Sequence, residues 1–300
     1  MAGGEVVGGT SLAATLPAEM LERVFHLLPP GDLKAVVLVC RWWREVGEAP
    51  WLWAWVVVPG VVVRANLARV TGMLGSESRR LPPLTRLEVR VVTEELLQAI
   101  LLSLDLREVS LRQCELGSAG PEVLAQALAG RQVVSLRDRS WLSPAQDTAL
   151  CQALLAGPCS LRKLDLWENE LSSVEPELLA RAVATLEEVN LGRTGLTRQQ
   201  GEAIFAALAG TGSSLRKLFM SENNLSSVEP GLMARAVNRL ESVTLKWTTL
   251  TGEQVTGMLA ASLEGTRLTD LWVVGYEGGV QVQEELVARA KLAIPSFCLI

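Results

Sequence analysis

Few side chains in this sequence are suited to chemistry. Its 300 residues include one histidine, His26, and five cysteines that form no C-x-x-C pair. A Ser-His-Asp triad would have to use His26, and a zinc site is hard to assemble from cysteines at these spacings. No G-x-x-x-x-G-K-[ST] loop and no G-x-G-x-x-G loop occurs either. We therefore predict a protein that is not an enzyme and that uses no metal and no cofactor.

Composition and net charge limit the classes of partner and the cellular compartment that we expect for this protein. Hydrophobic residues make up 49% of the chain and charged residues 20%, which is typical of a folded globular protein. The net charge of −5 gives no reason to expect nucleic acid or an acidic membrane as a partner. No apolar run approaches the length of about 18 residues that predicts a transmembrane helix. The odd number and irregular spacing of the cysteines favour a reducing compartment, so we expect the cytoplasm, the nucleus or both.

The chain contains internal repeats. Residues 160–197 and 214–251 align without gaps at an offset of 54 and agree at 25 of 38 positions. Each block holds two smaller units, and each unit opens with an L-x-x-L-x-L pattern. Copies of this pattern begin at residues 84, 106, 131, 161, 186, 215, 240 and 268. The copy at 131 matches least well, because it opens with arginine and has Arg139 at its ninth position.

These units resemble leucine-rich repeats, in which a small polar residue is usual at the ninth position. In the better copies the ninth residues are Cys114, Asn169, Thr194, Asn223 and Thr248. Alternating leucines such as Leu164 and Leu166 predict a short strand with one buried face. After the strand, Ile204, Phe205 and Leu208 recur on one helical face, and a threonine can cap the start of that helix.

The resemblance implies an α/β fold, a leucine-rich-repeat solenoid with parallel strands on its concave face and helices outside. Successive units alternate between about 25 and about 29 residues, which predicts helices of two lengths in turn.

The first 55 residues follow a different pattern. They contain five of the nine tryptophans. A predicted first helix carries Leu21, Val24, Phe25 and Leu28 in one apolar stripe. A unit of some 40 residues is too small to bury this many large apolar side chains, so we expect an exposed apolar patch that marks an interface.

The segment from Leu16 to Trp53 resembles an F-box. The family pattern is matched by Leu16-Pro17, Glu19-Met20, Val24-Phe25, Leu28, Asp32-Leu33, Val39-Cys40, Trp43-Arg44 and Leu52-Trp53. Met20 replaces a leucine and is the one departure at these positions. The F-box is an all-α helical module, and its place directly before leucine-rich repeats is the arrangement of the F-box and leucine-rich-repeat family.

The resemblance implies the substrate-recognition subunit of a Skp-cullin-F-box type E3 ubiquitin ligase. The F-box would dock on a Skp-type adaptor, the adaptor would connect it to a cullin-RING scaffold, and the repeats would bind the substrate protein. The protein itself would be a non-catalytic subunit. The residues assigned to adaptor binding are Leu16, Pro17, Leu21, Phe25, Leu28, Leu33, Val39, Cys40, Trp43, Leu52 and Trp53.

On the concave face, positions five and seven of each unit point to solvent and position eight lies at the strand edge. Candidate substrate-binding residues at these positions are Arg90, Arg112, Arg137, Trp167, Arg193, Phe219, Lys246, Trp247 and Trp272. Exposed arginine and aromatic side chains are the usual anchors of an interface. We hypothesise a substrate with an acidic or phosphorylated end over the first three arginines and an apolar end over Trp167 and Phe219. Alternatively, nearby acids such as Glu88 and Asp138 neutralise the arginines, and loops cover the tryptophans.

The predicted organisation is a flexible N-terminus at 1–15, an F-box at 16–55, a linker at 56–83, about eight leucine-rich repeats at 84–280 and a C-terminal cap at 281–300. Two alternatives stay open. The N-terminal helices could be an ordinary cap of the solenoid, and the chain could be a leucine-rich-repeat scaffold or inhibitor that acts outside ubiquitin ligases. Binding to a Skp-type adaptor distinguishes these alternatives from the substrate receptor.

Overall fold

The structure is a computed structural model of the chain. It describes residues 17, 20, 21, 24, 25, 28, 36, 43, 55–58, 85–89, 94–103, 105–112, 114, 116, 119–138, 142–157, 159–264, 267–274 and 282–299. Of these, 55–58, 94 and 95 are described by their backbone alone.

One parallel sheet runs through the described residues, and its ten strands are hydrogen-bonded in chain order. The strands are β1 (Trp55–Val58), β2 (Arg86–Val89), β3 (Glu108–Leu111), β4 (Val133–Ser135), β5 (Lys163–Asp165), β6 (Glu188–Asn190), β7 (Lys217–Phe219), β8 (Ser242–Lys246), β9 (Asp270–Val274) and β10 (Ser296–Leu299). Each strand from β2 to β9 begins two residues after a predicted unit start, which confirms the repeat register. The sheet also has one more strand on each side, since β1 pairs with β2 and β10 with β9.

The described helices alternate with the strands along the chain. They are α1 (Glu94–Leu102), α2 (Pro121–Ala129), α3 (Pro144–Leu155), α4 (Pro176–Thr185), α5 (Arg198–Ala209), α6 (Pro230–Val237), α7 (Gly252–Ser262) and α8 (Glu284–Ala293). From α2 to α7 they alternate between 8–10 and 11–12 residues, so the prediction of two helix lengths in turn is confirmed.

Local sequence decides where these helices begin. The longer helices α3, α5 and α7 each start with a capping box, in which a serine or threonine hydroxyl accepts from the N–H of a glutamine three residues later. The shorter helices α4 and α6 start with Glu-Pro, and the carboxylates of Glu175 and Glu229 accept from two backbone N–H groups each. Proline suits the first helical position because the missing N–H would have no partner within the helix.

The core lies between the sheet and the helices. Leu164 and Leu166 are buried, while Asp165 between them is half-buried, as the alternating strand pattern predicted. On α5, Phe205 and Leu208 are buried as predicted. Each unit thus contributes one apolar strand face and one apolar helix face to a continuous core.

Buried amides link successive units. The Asn169 side-chain amide donates to a backbone carbonyl of the preceding unit at 2.5 Å, and Asn223 repeats this contact at 2.7 Å. Gln200 donates to two carbonyls of the preceding unit, both at 2.7 Å, and Gln146 and Gln254 make the same pair of contacts. These five side chains satisfy polar backbone atoms that would otherwise be buried without partners.

The unit that begins at 131 departs from the leucine pattern for a structural reason. Arg131 is buried, and its guanidinium donates to the carbonyls of Ile100, Leu101, Ser103, Leu106 and Ala127 at 2.5–3.4 Å. Several of these carbonyls lie at the C-terminal end of α1, where helix carbonyls lack partners and a cation is favoured. Burial lowers the pKa of Arg131.

Candidate functional site

The concave face of the sheet is a grid of outward side chains in register. Position five of each unit contributes Glu88, Ser110, Ser135, Asp165, Asn190, Phe219, Thr244 and Trp272, all of them half-buried. Position seven contributes Arg112, Arg137, Trp167, Gly192, Ser221, Lys246 and Val274. Neighbouring strands of a sheet lie about 4.8 Å apart, so a partner lying across the grid meets one unit after another.

At the N-terminal end of this grid, the carboxylate of Asp165 forms an ion pair with Arg137 and interacts with Arg112 through its charge. The Arg137 Nε lies 3.0 Å from Oδ2 of Asp165, and the other carboxylate oxygen accepts from the Trp167 N–H at 3.1 Å. Burial raises the pKa of Asp165, while the Trp167 N–H and the charges of Arg137 and Arg112 act in the opposite direction. The Arg112 Nε is buried and has no hydrogen-bond partner among the residues that the structure describes.

For Arg137, the structure shows an acid that neutralises its charge, and that acid is Asp165. The third arginine of the predicted strip, Arg90, lies outside the described residues.

The Trp167 ring packs against Gly192 of the neighbouring unit. A Cβ atom at Gly192 would overlap Cε3 and Cζ3 of the Trp167 ring, so only glycine leaves room for the indole there. Gly192 is buried and Trp167 is half-buried, which leaves part of the ring open to a partner.

Position eight forms a row of five residues with left-handed backbone. The φ angles are 64° at Asp138, 63° at Glu168, 53° at Arg193, 58° at Glu222 and 56° at Trp247. Each of these residues donates its N–H to the position-seven carbonyl of the next unit, so the row extends the pairing of the sheet. Left-handed backbone is uncommon for such side chains. The sequence contained no glycine or asparagine at these positions to signal it.

Charge and aromatic surface dominate the C-terminal half of the face. Arg193 lies between two acids of the row, 2.8 Å from Glu168 and 3.8 Å from Glu222. The Lys246 ammonium lies 4.5 Å from the centre of the Trp272 ring, a cation–π contact. Trp247 is 64% exposed, so it stands open to solvent rather than covered.

The described part of the F-box segment separates buried from exposed apolar residues. Leu21 and Phe25 are buried, and the Phe25 ring meets that of Trp43 edge to face at 5.4 Å between centroids. On the same helical stretch, Met20 is 54% and Val24 46% exposed. The outward apolar pair is thus Met20 and Val24, neither of which was among the residues assigned to adaptor binding.

The other predicted adaptor-binding residues divide into three groups. Pro17 is exposed, and Leu28 and Trp43 are half-buried. Those outside the described residues are Leu16, Leu33, Val39, Cys40, Leu52 and Trp53.

Two buried thiols, Cys114 and Cys151, are poorly suited to chemistry. Burial raises the pKa of Cys114 and of Cys151 to about 12, which keeps both protonated at neutral pH. Within the described ranges, no group of three or more histidine, cysteine, aspartate or glutamate side chains is arranged to hold a metal ion. Among those same residues, no helix is both long and apolar enough to cross a membrane.

Sequence reasoning missed two hydroxyls on the concave face. Ser110 and Ser135 face each other in register on β3 and β4, and neither buried hydroxyl oxygen has a hydrogen-bond partner among the described residues. Small polar residues at position five give no distinctive pattern, so no sequence signal singled them out.

Comparison with known families agrees with both halves of this description. A family model described as F-box-like matches residues 13–58, and one described as Leucine Rich Repeat matches residues 160–182. No curated protein matches the chain at a significant level. F-box domains generally bind Skp-type adaptors and leucine-rich repeats bind protein partners, and both are typically non-catalytic. The fold and the two family matches define a leucine-rich-repeat solenoid with an N-terminal F-box-like domain. The chain has the domain combination of the F-box and leucine-rich-repeat family.

Proposed function

We propose that this protein is the substrate-recognition subunit of a Skp-cullin-F-box type E3 ubiquitin ligase. Its F-box docks on a Skp-type adaptor, and its concave repeat face binds the substrate protein. The observation that carries the proposal is the F-box-like match at 13–58, which is followed by a parallel solenoid. We expect the protein to act in the cytoplasm, the nucleus or both.

Two exposed apolar side chains support adaptor docking. Met20 and Val24 are four residues apart on a helical stretch, so they share one face, while Leu21 and Phe25 are buried. Exposing two large apolar side chains side by side is unfavourable unless a partner covers them. A hydrophobic surface of the adaptor would bury this pair when the complex forms.

In this proposal the protein performs no bond-making step. It holds the adaptor at one end and the substrate on the sheet, while ubiquitin transfer belongs to other subunits of the ligase. The candidate substrate-binding residues are Arg112, Arg137, Trp167, Arg193, Phe219, Lys246, Trp247 and Trp272, together with Arg90.

The test replaces Met20 and Val24 together by glutamate in the full chain and titrates a purified Skp-type adaptor by calorimetry. Truncating an interface anchor typically costs about 2–4 kcal/mol, so we expect affinity to fall by at least about 30-fold. The matched control is Leu292→Glu on α8, where an exposed leucine far along the chain is changed in the same way.

The control should bind like the wild type. Equal affinities for the wild type and for a Met20/Val24 variant that still melts normally would contradict docking through this face. A folded wild-type chain that binds no adaptor would favour a scaffold or inhibitor outside ubiquitin ligases. Affinity purification from cells, with the F-box intact and deleted, then separates ligase subunits, which are lost, from substrates, which are retained.

A further inference from the structure

Three buried polar atoms of the concave face lie close together in the sheet without hydrogen-bond partners among the described residues. Ser110 and Ser135 lie opposite each other on adjacent strands, and Arg112 follows Ser110 by two residues on the same face. The two hydroxyl oxygens and the Arg112 Nε are buried and have no hydrogen-bond partner among the described residues. Buried polar groups are nearly always paired in folded proteins, so a cluster of three calls for a partner.

The chemistry of this cluster suits an anion. A guanidinium supplies donors in a fixed fork that matches a carboxylate, and serine hydroxyls can donate to the same oxygens. Asp165 pairs with Arg137 and also interacts with Arg112 through its charge, but no ion pair joins Arg112 to a described carboxylate.

We propose that Arg112, Ser110 and Ser135 form a subsite that binds the carboxylate of an aspartate or glutamate in the substrate. This inference rests on the proposed function, because it assumes that the concave face receives an extended protein segment. Because these three atoms are buried in the free protein, binding requires a local rearrangement that exposes them to the carboxylate.

Neighbouring charge favours a carboxylate over a phosphate. Glu88 lies next to Ser110 in register, and Asp138 raises the pKa of nearby Asp165 through charge repulsion. These acids repel a doubly charged phosphate more strongly than a singly charged carboxylate.

The register of the sheet also sets the distance between this subsite and a second contact, the Trp167 ring. Trp167 follows β5, two strands beyond the strand of Arg112, which corresponds to about 10 Å across the sheet. A peptide in the polyproline II conformation advances about 3.1 Å per residue and presents every third side chain on the same face, so residues three apart cover this span and both face the sheet. The substrate segment therefore carries an apolar side chain about three residues from its acid, and that side chain packs on the exposed part of the Trp167 ring.

The experiment measures binding of short fluorescein-labelled peptides to the full chain by fluorescence anisotropy. The probes have one glutamate and one leucine in an alanine-serine background, separated by one to five residues in both directions. We expect the tightest binding at a spacing of about three. Arg112→Gln should weaken it about 10- to 100-fold, because a charge-assisted pair is lost.

Two further variants separate a binding role from a structural one. Ser110→Ala with Ser135→Ala removes hydroxyls that are unpartnered in the free protein, so peptide affinity should fall while the melting temperature holds or rises. Arg198→Gln is the matched control, because Arg198 lies on helix α5 rather than on the sheet and already pairs with Glu202 at 2.9 Å, and we expect its peptide affinity to stay within about twofold.

Absence of binding by the wild type at millimolar peptide, or equal binding by the Arg112 variant, would overturn the subsite. A phosphoserine probe that binds more tightly than the glutamate probe would overturn the choice of a carboxylate. Adaptor binding is measured on the same samples. A wild-type chain that does not bind the adaptor would count against the proposed function. A chain that binds the adaptor but whose peptide affinity is unaffected by the substitutions would count against the subsite alone.

Discussion

Replacing Asp147 by asparagine should stabilise the protein above neutral pH. Asp147 is 2% exposed in the first turn of α3, and both its carboxylate oxygens are buried without hydrogen-bond partners among the described residues. It lines a small apolar cavity with Leu150, Leu164 and Leu179. Burial, with a smaller contribution from the charge of Glu170, raises its pKa from 3.8 to about 7.

The magnitude follows from linkage between ionisation and folding. Each unit of pKa is worth about 1.4 kcal/mol, so the change from 3.8 to about 7 corresponds to about 4 kcal/mol. Because the folded state holds this proton more tightly than the unfolded state does, the stability linked to it is fully present below pH 3.8 and is lost as the pH rises to about 7. Between pH 5 and pH 8 the wild type should lose about 2–3 kcal/mol through this group.

The assay is urea unfolding, followed by circular dichroism, at pH 5 and pH 8. Asp147→Asn cannot ionise, so its advantage over the wild type should be larger by about 2–3 kcal/mol at pH 8 than at pH 5. Glu122→Gln, at an exposed acid in the first turn of α2, is the matched control and should leave the pH dependence unchanged. The same pH dependence in the wild type and in Asp147→Asn would refute the claim that this carboxyl is desolvated.

Two other substitutions test the packing between units. Arg131→Leu restores the leucine pattern, yet it should lower the free energy of unfolding by at least about 3 kcal/mol, because five backbone carbonyls lose a charged donor. Urea unfolding measures this loss, and an equally stable variant would contradict the prediction. Gly192→Ala should cost about 1–3 kcal/mol and change the fluorescence of Trp167, because the new methyl group overlaps the indole. Gly157→Ala, where nothing lies within 4 Å, is its control, and equal losses at both glycines would show that the overlap is not the cause.

The repeat architecture could be predicted because its signal is periodic. A strand face such as Leu164 and Leu166 recurs in unit after unit, and each observed strand from β2 to β9 begins two residues after its predicted unit start. Helix starts were also readable, since hydroxyl caps act on backbone only three residues away, as at Thr197. Signals of this kind are local, and repetition reinforces them.

The polar contacts of the candidate site could not be predicted in the same way. Asp165 and Arg137 are 28 residues apart, and whether Arg137 meets Asp165, Glu88 or Asp138 depends on side-chain geometry across three strands. In the F-box segment, Leu21 and Val24 belong to one apolar stripe by spacing, yet the first is buried and the second exposed. Spacing defines a stripe, but neighbouring elements decide which part of it they cover.

By itself, the sequence determined the class of fold, the order of strand and helix, and the alternation of buried and outward positions along each strand. These properties depend on residues within one or two turns of each other, where backbone geometry links spacing to direction. Only the tertiary structure decided the partner of each outward or buried polar atom. Arg131 binds the end of α1, and Arg112 is left beside two unpartnered hydroxyls, because stacked units bring together atoms that lie some 25 to 31 residues apart in the chain.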